Sequence, residues 1–117
     1  MSQILLTFFL FTSLTFSKPQ TSCEEIIRLA KSEGIRHGYV SSISLMNSEW
    51  LKNVEAYKIE GVIIVIATIK NESSYFGKEY VFCGVPESNW TSFSYGYSGS
   101  YGERFHQYII DYQCNCY

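Results

Sequence analysis

The run VIIVIATI, Val62 to Ile69, sets the first constraint on how this chain folds. As a strand it is apolar on both alternating faces, the pattern of a central strand covered on each side. Upstream, LKNVEAYKI reads as a second strand, joined to the first at Glu60-Gly61. Downstream, NESSYFG is a polar connection and KEYVFCGV reads as a third strand. Short links between successive strands favour an antiparallel meander. The preceding stretch, IRHGYVSSISLMNSEW, reads as a loop with a strand around Val40 to Leu45.

Helices supply the covers. In SCEEIIRLAKSEG, Ser22 caps and Glu25 completes a capping box. Cys23, Ile26, Ile27 and Ala30 form one apolar stripe, and Gly34 suits a left-handed terminating position. VPESNWTSFSYGY starts a helix with Pro86 at its first position, which puts Trp90, Phe93 and Tyr97 on one face. In GSYGERF, Ser100 caps and Glu103 closes a second capping box. Phe105, Tyr108, Ile109 and Tyr112 mark that helix's apolar face. The expected fold class is α+β: an N-terminal helix, a three-stranded antiparallel meander and two C-terminal helices. Repeats, coiled-coil heptads and low-complexity segments are absent from the sequence.

The first residues stand apart. Ile4 to Phe16 carries no charge, is shorter than the ~20 residues a membrane-spanning helix needs, and suits the apolar region of a secretory signal. Thr15 and Ser17 supply small residues for cleavage, although Met1-Ser2-Gln3 has no Lys or Arg. The expected organisation is a signal peptide over 1–17, a helix and loop over 18–47, the main domain over 48–112 and a cysteine-containing tail over 113–117. The mature chain is then secreted or periplasmic and does not span a membrane.

All nine basic and eleven acidic residues lie beyond the leader, scattered without a basic cluster. A net charge of −2 disfavours nucleic acid as a partner, because binding phosphates takes a basic surface. Four cysteines, Cys23, Cys83, Cys114 and Cys116, remain after cleavage, an even number that signals disulfides in an exported chain. Three pairings are open. Cys23 opens the first helix on its buried face and Cys114 directly follows the last helix, so Cys23–Cys114 is the expected bridge. Cys83, in a strand, is expected as a buried thiol, with Cys116 in a fraying terminus. The one-residue spacer of CNC departs from zinc-ligand spacing, and no metal or cofactor is expected.

EYVFCGVPESNWTSF, followed by SYGERFHQYI, resembles the KTSC domain, a short module named from the C-terminus of some lysyl-tRNA synthetases. That family shows an aromatic-x-aromatic strand leading into Val-Pro, a helix, then Ser-x-Gly-x-x-Phe-x-x-x-Ile. Tyr80 and Phe82 take the aromatic positions, and Val85, Pro86, Ser100, Gly102, Phe105 and Ile109 match the rest. SEWLKNVEAYKIEGVIIVIATIK is similar to the two preceding strands of the family, so the likeness spans about residues 48 to 112. The layout also resembles exported single-domain members in which a cysteine-headed helix precedes the module and a cysteine follows it. The resemblance implies a bacterial envelope protein, and single-stranded RNA binding as the role suggested for the family.

Catalytic constellations are weak. Glu103, Arg104 and His106 lie together but off the apolar stripe, as a solvated face does. His37 stands alone in RHGY, with no acid or nucleophile at a motif spacing. Phosphate loops, G-x-S-x-G elbows and H-E-x-x-H do not occur, so the chain is not expected to be an enzyme. Asn71-Glu72-Ser73 and Asn89-Trp90-Thr91 match N-glycosylation sequons. Tyr75, Tyr80, Tyr95, Tyr97, Tyr101, Tyr108, Tyr112 and Tyr117 are too many to bury with their hydroxyls satisfied, and an exposed aromatic patch binds partners. The expectation is therefore binding of a protein, peptide or glycan through Tyr95, Tyr97, Tyr101 and Arg104, with single-stranded RNA binding as the alternative and an enzyme without recognisable motif third.

Overall fold

A computed structural model describes residues 21–71 and 74–117. The expected leader, 1–17, lies outside these residues, as do Glu72 and Ser73 of the first sequon. The chain runs α1 (Cys23–Glu33), β1 (Ile35–Val40), β2 (Leu51–Ile59), β3 (Val62–Asn71), β4 (Ser74–Cys83), α2 (Glu87–Tyr95), α3 (Tyr101–Tyr108) and a 3-10 turn at Ile110–Tyr112. The four strands form one antiparallel sheet in the order β1-β2-β3-β4. The fold is α+β.

The sheet has one strand more than the sequence led us to expect. β1 ends at Val40, where a strand had been expected to begin, and the residues up to Asn47 fold into turns. Two properties of β1 hide it. Its register shifts between Arg36 and Gly38, and as an edge strand it leaves Ile35, Arg36 and Tyr39 exposed. Neither leaves a clean alternation to read.

β3 answers the opening constraint. Ile63, Val65 and Ala67 face a core shared with α2 and α3, while Ile64 and Ile66 face a second core shared with α1 and the C-terminal tail. The β2–β3 hairpin turns at Glu60-Gly61, where both residues take positive φ, 51° and 82°, and Ile59 pairs with Val62. Two consecutive left-handed residues match the right-handed twist of the strands they join.

The helix ends follow their capping residues. Ser22 Oγ accepts the Glu25 amide N–H, but the Glu25 carboxylate pairs with Arg28 and does not complete the expected box, whereas Ser100 with Glu103 forms the reciprocal capping box. Gly34 departs from expectation: its φ is −78°, so it is not left-handed. Space requires it instead, since a Cβ there would lie 3.0 Å from the Cβ of Tyr57. α2 stops at Tyr95, and Tyr97, expected on its buried face, is fully exposed. The helix ends because Gly96 turns extended, and a Cβ at Gly96 would lie 2.8 Å from Cδ of Arg104.

The expected Cys23–Cys114 bridge and free Cys83 thiol are both corrected. Cys83 is bonded to Cys114 and Cys23 to Cys116. The tail is held rather than frayed: Gln113 pairs with Phe82, and the Cys114 amide donates to the Val81 carbonyl at 3.2 Å. A tail lying antiparallel to β4 brings Cys114 to Cys83 first, and Cys116 then reaches the first residue of α1. Tyr117 completes the clasp, its phenol oxygen accepting the Val81 amide N–H at 2.9 Å. Among the described residues no helix is long and apolar enough to cross a membrane.

Candidate functional site

Aromatic side chains meet along the seam between the β1–β2 connection and the α2–α3 pair. The connection is built by serines. Ser41 Oγ accepts the Ser44 amide, and Ser48 Oγ accepts the amides of Trp50 and Leu51 at 3.4 and 3.0 Å. Leu45, 1% exposed, anchors the turns in the core, which leaves Ile43 and Met46 outside. Serine oxygens that satisfy turn amides in this way hold an irregular segment in one shape.

Three hollows along this seam share their walls. The first, about 470 Å³, lies between Ser44, Asn47, Glu49 and Trp50 on one side and Ser100, Tyr101 and Gly102 on the other. The second, about 240 Å³, is bounded by Tyr39, Ser44, Ser94, Tyr95 and Tyr101. The third, about 350 Å³, is bounded by Trp50, Ser100, Gly102, Glu103 and His106. Ser44 and Tyr101 belong to both the first and second, and Trp50, Ser100 and Gly102 to both the first and third. Neighbours through these shared residues, the three hollows are together called the groove. Tyr39 and Tyr95 border the second, Tyr101 stands between the first and second, and Trp50 between the first and third, where His106 also lies.

Trp50 and Tyr101 are held from behind. Trp50 packs edge-on to Phe105 at 5.8 Å between centroids, and His106 lies 5.2 Å from it at 54°. Gly102 gives Trp50 its place, since a Cβ there would lie 3.1 Å from Cζ2 of the indole. Tyr101 meets Phe93 edge-on, and the Arg104 guanidinium lies 4.5 Å from its ring centroid.

Of the four expected binding residues, Tyr95 and Tyr101 line the groove, and Tyr97 is exposed on the neighbouring loop. Arg104 is displaced from both of its sequence readings, the binding surface and the solvated face. It is 6% exposed and donates to the carbonyls of Phe93 and Gly99, each at 2.9 Å. The close approach at Gly96 lets it in, which helical periodicity does not register. Sequence reasoning also missed Tyr39 and Trp50; the available signal was a lone tryptophan in the polar context NSEW.

The residues that carry the KTSC resemblance have identifiable physical roles. Phe82, Val85, Phe105 and Ile109 belong to the core shared with α2 and α3, with Tyr80 packed against it. Pro86 is the N-cap of α2, Ser100 the N-cap of α3, and Gly102 backs Trp50. No family model, no curated protein and no solved structure matches the chain.

Other titratable groups pair structurally. His37 Nε2 lies 2.9 Å from Glu87 Oε1 and ties β1 to the start of α2, a partner that sequence spacing did not reveal. Lys31 of α1 pairs with Glu79 of β4, and although burial lowers its pKa, the Glu79 hydrogen bond leaves it raised overall. Asn89 of the second sequon donates its side-chain amide to the Tyr108 carbonyl at 2.9 Å. Among the described residues no three His, Cys, Asp or Glu side chains come together as metal ligands.

Proposed function

We propose that the chain is an exported, KTSC-like α+β module that binds a ligand or partner through the aromatic groove, without catalysing a reaction on it. The observation that carries this reading is the shared wall: Ser44 and Tyr101 border both the hollow beside an exposed tyrosine pair and the neighbouring hollow beside a half-buried tryptophan. Trp50 and Tyr101, packed at fixed positions, lose little freedom when a ligand stacks on them, which favours binding. The motif residues of the resemblance support it by forming the core and caps beneath the groove. Two disulfides are compatible with the oxidising surroundings of a secreted or periplasmic protein. The RNA role implied by the resemblance gains nothing from the groove lining, where Glu49 and Glu103 stand without Lys or Arg.

Amide chemical-shift mapping against a library of small polar and aromatic compounds tests the binding reading. The expected shifts cluster at Tyr39, Trp50, Tyr95 and Tyr101. Shifts that cluster elsewhere remove the groove from the reading. A hydrolytic or redox turnover by the pure protein, lost in His106→Ala, overturns the non-enzymatic part. Titration with single-stranded RNA at low salt tests the alternative, and micromolar binding there revives it.

A further inference from the structure

We infer that the groove's ligand class is the uncharged saccharide, an inference that rests on the groove being a binding site. Ser44 and Asn47 supply a neutral hydroxyl and amide, Ser94 and Ser100 add hydroxyls already bonded to the Trp90 carbonyl and the Glu103 amide, and Glu49 adds a carboxylate acceptor. The lining holds no Lys or Arg side chain. The Arg104 guanidinium is buried behind Tyr101 and donates to backbone carbonyls, and that of Arg36 lies outside the lining, 5.1 Å from the Tyr39 ring centroid. A phosphate, sulfate or carboxylate in the hollows around Trp50 would meet Glu49 and Glu103 with no Lys or Arg in their lining, which is unfavourable.

Two kinds of surface line the hollows. Tyr39, Tyr95, Tyr101 and Trp50 contribute aromatic rings, and the serines and Asn47 belong to the same walls. A pyranose ring has the complementary arrangement, an apolar face of C–H bonds and a rim of hydroxyls that both donate and accept. Aromatic faces carry partial negative charge that attracts the polarised C–H bonds. The Ser44 hydroxyl and the Asn47 amide can match sugar hydroxyls in either direction, as a carboxylate alone cannot. The hollows succeed one another along the seam, a layout that suits several linked rings rather than one.

The test titrates the full disulfide-bonded chain with cellohexaose, maltohexaose and chitohexaose, with a hyaluronan oligosaccharide as the anionic probe and oligolysine as the cationic one. At least one neutral saccharide is expected to bind with a Kd of ~1 mM or tighter. That binding is expected to be insensitive to salt, and hyaluronan is expected not to bind. Tyr95 is 76% exposed, so Tyr95→Ala is expected to leave the unfolding midpoint unchanged while weakening the saccharide about tenfold or more, as loss of a stacking platform does. Glu49→Gln, on an exposed loop, is a second variant that keeps the fold. Silence from all three neutral saccharides overturns the inference, as does preference for hyaluronan or oligolysine. If compounds in the shift-mapping experiment still cluster in the groove, only the ligand class has failed. If that map is blank as well, the binding reading fails with it.

Discussion

Arg104 Nε donates to the Phe93 carbonyl oxygen at 2.9 Å, from a side chain only 6% exposed. One NH2 group of the same guanidinium donates to the Gly99 carbonyl, and the cation lies over the Tyr101 ring. One side chain thus holds the end of α2, the connecting loop and the start of α3 together. Arg104→Met removes the donors and leaves carbonyls unpaired, an expected loss of ~2–4 kcal/mol. Arg104→Lys should not restore it, because an ammonium lacks the planar fork that spans two acceptors. Urea unfolding of the three proteins checks both statements.

Non-reducing peptide mapping is expected to recover Cys23 linked to Cys116 and Cys83 linked to Cys114. The bridges span 93 and 31 residues. In the chain-entropy account, removing the longer with paired serines costs ~4–5 kcal/mol and removing the shorter ~3–4 kcal/mol. Thermal unfolding of the two double-serine variants orders them. Equal or reversed losses would show that native packing of the tail, rather than loop length, dominates.

Gly38 and Gly102 each face a tryptophan at the same distance. An added Cβ would lie 3.1 Å from Cζ2 of Trp90 at the first site and of Trp50 at the second. Trp90 is 3% exposed and sealed in the core, so Gly38→Ala is expected to cost ~1–3 kcal/mol by overpacking. Trp50 is half-buried at the groove and can yield. Gly102→Ala should stay within ~1 kcal/mol of the parent, since helix propensity offsets the displacement. The indole should nevertheless move, which near-ultraviolet circular dichroism and the ring-shifted His106 resonances would report.

Glu60 carries a side chain at φ 51°, next to Gly61 at 82°. Asparagine tolerates this conformation better than glutamate. Glu60→Asn is expected to raise stability by ~0.5–1 kcal/mol. The midpoint of chemical denaturation should rise with no change in its slope.

Legibility in the sequence followed the strength of local patterns. β3 was readable because Val62 to Ile69 is apolar throughout, and the start of α3 because Ser100 and Glu103 stand at capping distance. β1 was not, because edge exposure and a register shift erase the alternation around Gly38. The groove was half readable. Tyr95 and Tyr101 lie in an evidently aromatic stretch, whereas Tyr39 and Trp50 come to it only through the long-range packing of the β1–β2 connection. Arg104 was misplaced for a related reason: the glycine that admits it, Gly96, acts through space rather than through helix phase. The cysteine pairing depended on whether the tail frays or pairs with β4, and that is a tertiary fact.

The Cys23–Cys116 bridge makes a covalent ring of nearly everything between the first helix and the tail. The β1–β2 connection offers a protease exposed residues, with Ile43 and Met46 standing 78% and 72% exposed. A cut there opens the ring but separates nothing, because each fragment still holds one cysteine of the bridge. The nicked molecule keeps its mass and both halves of the groove until a reductant arrives, so endurance outside a reducing environment is built into the position of the crosslink.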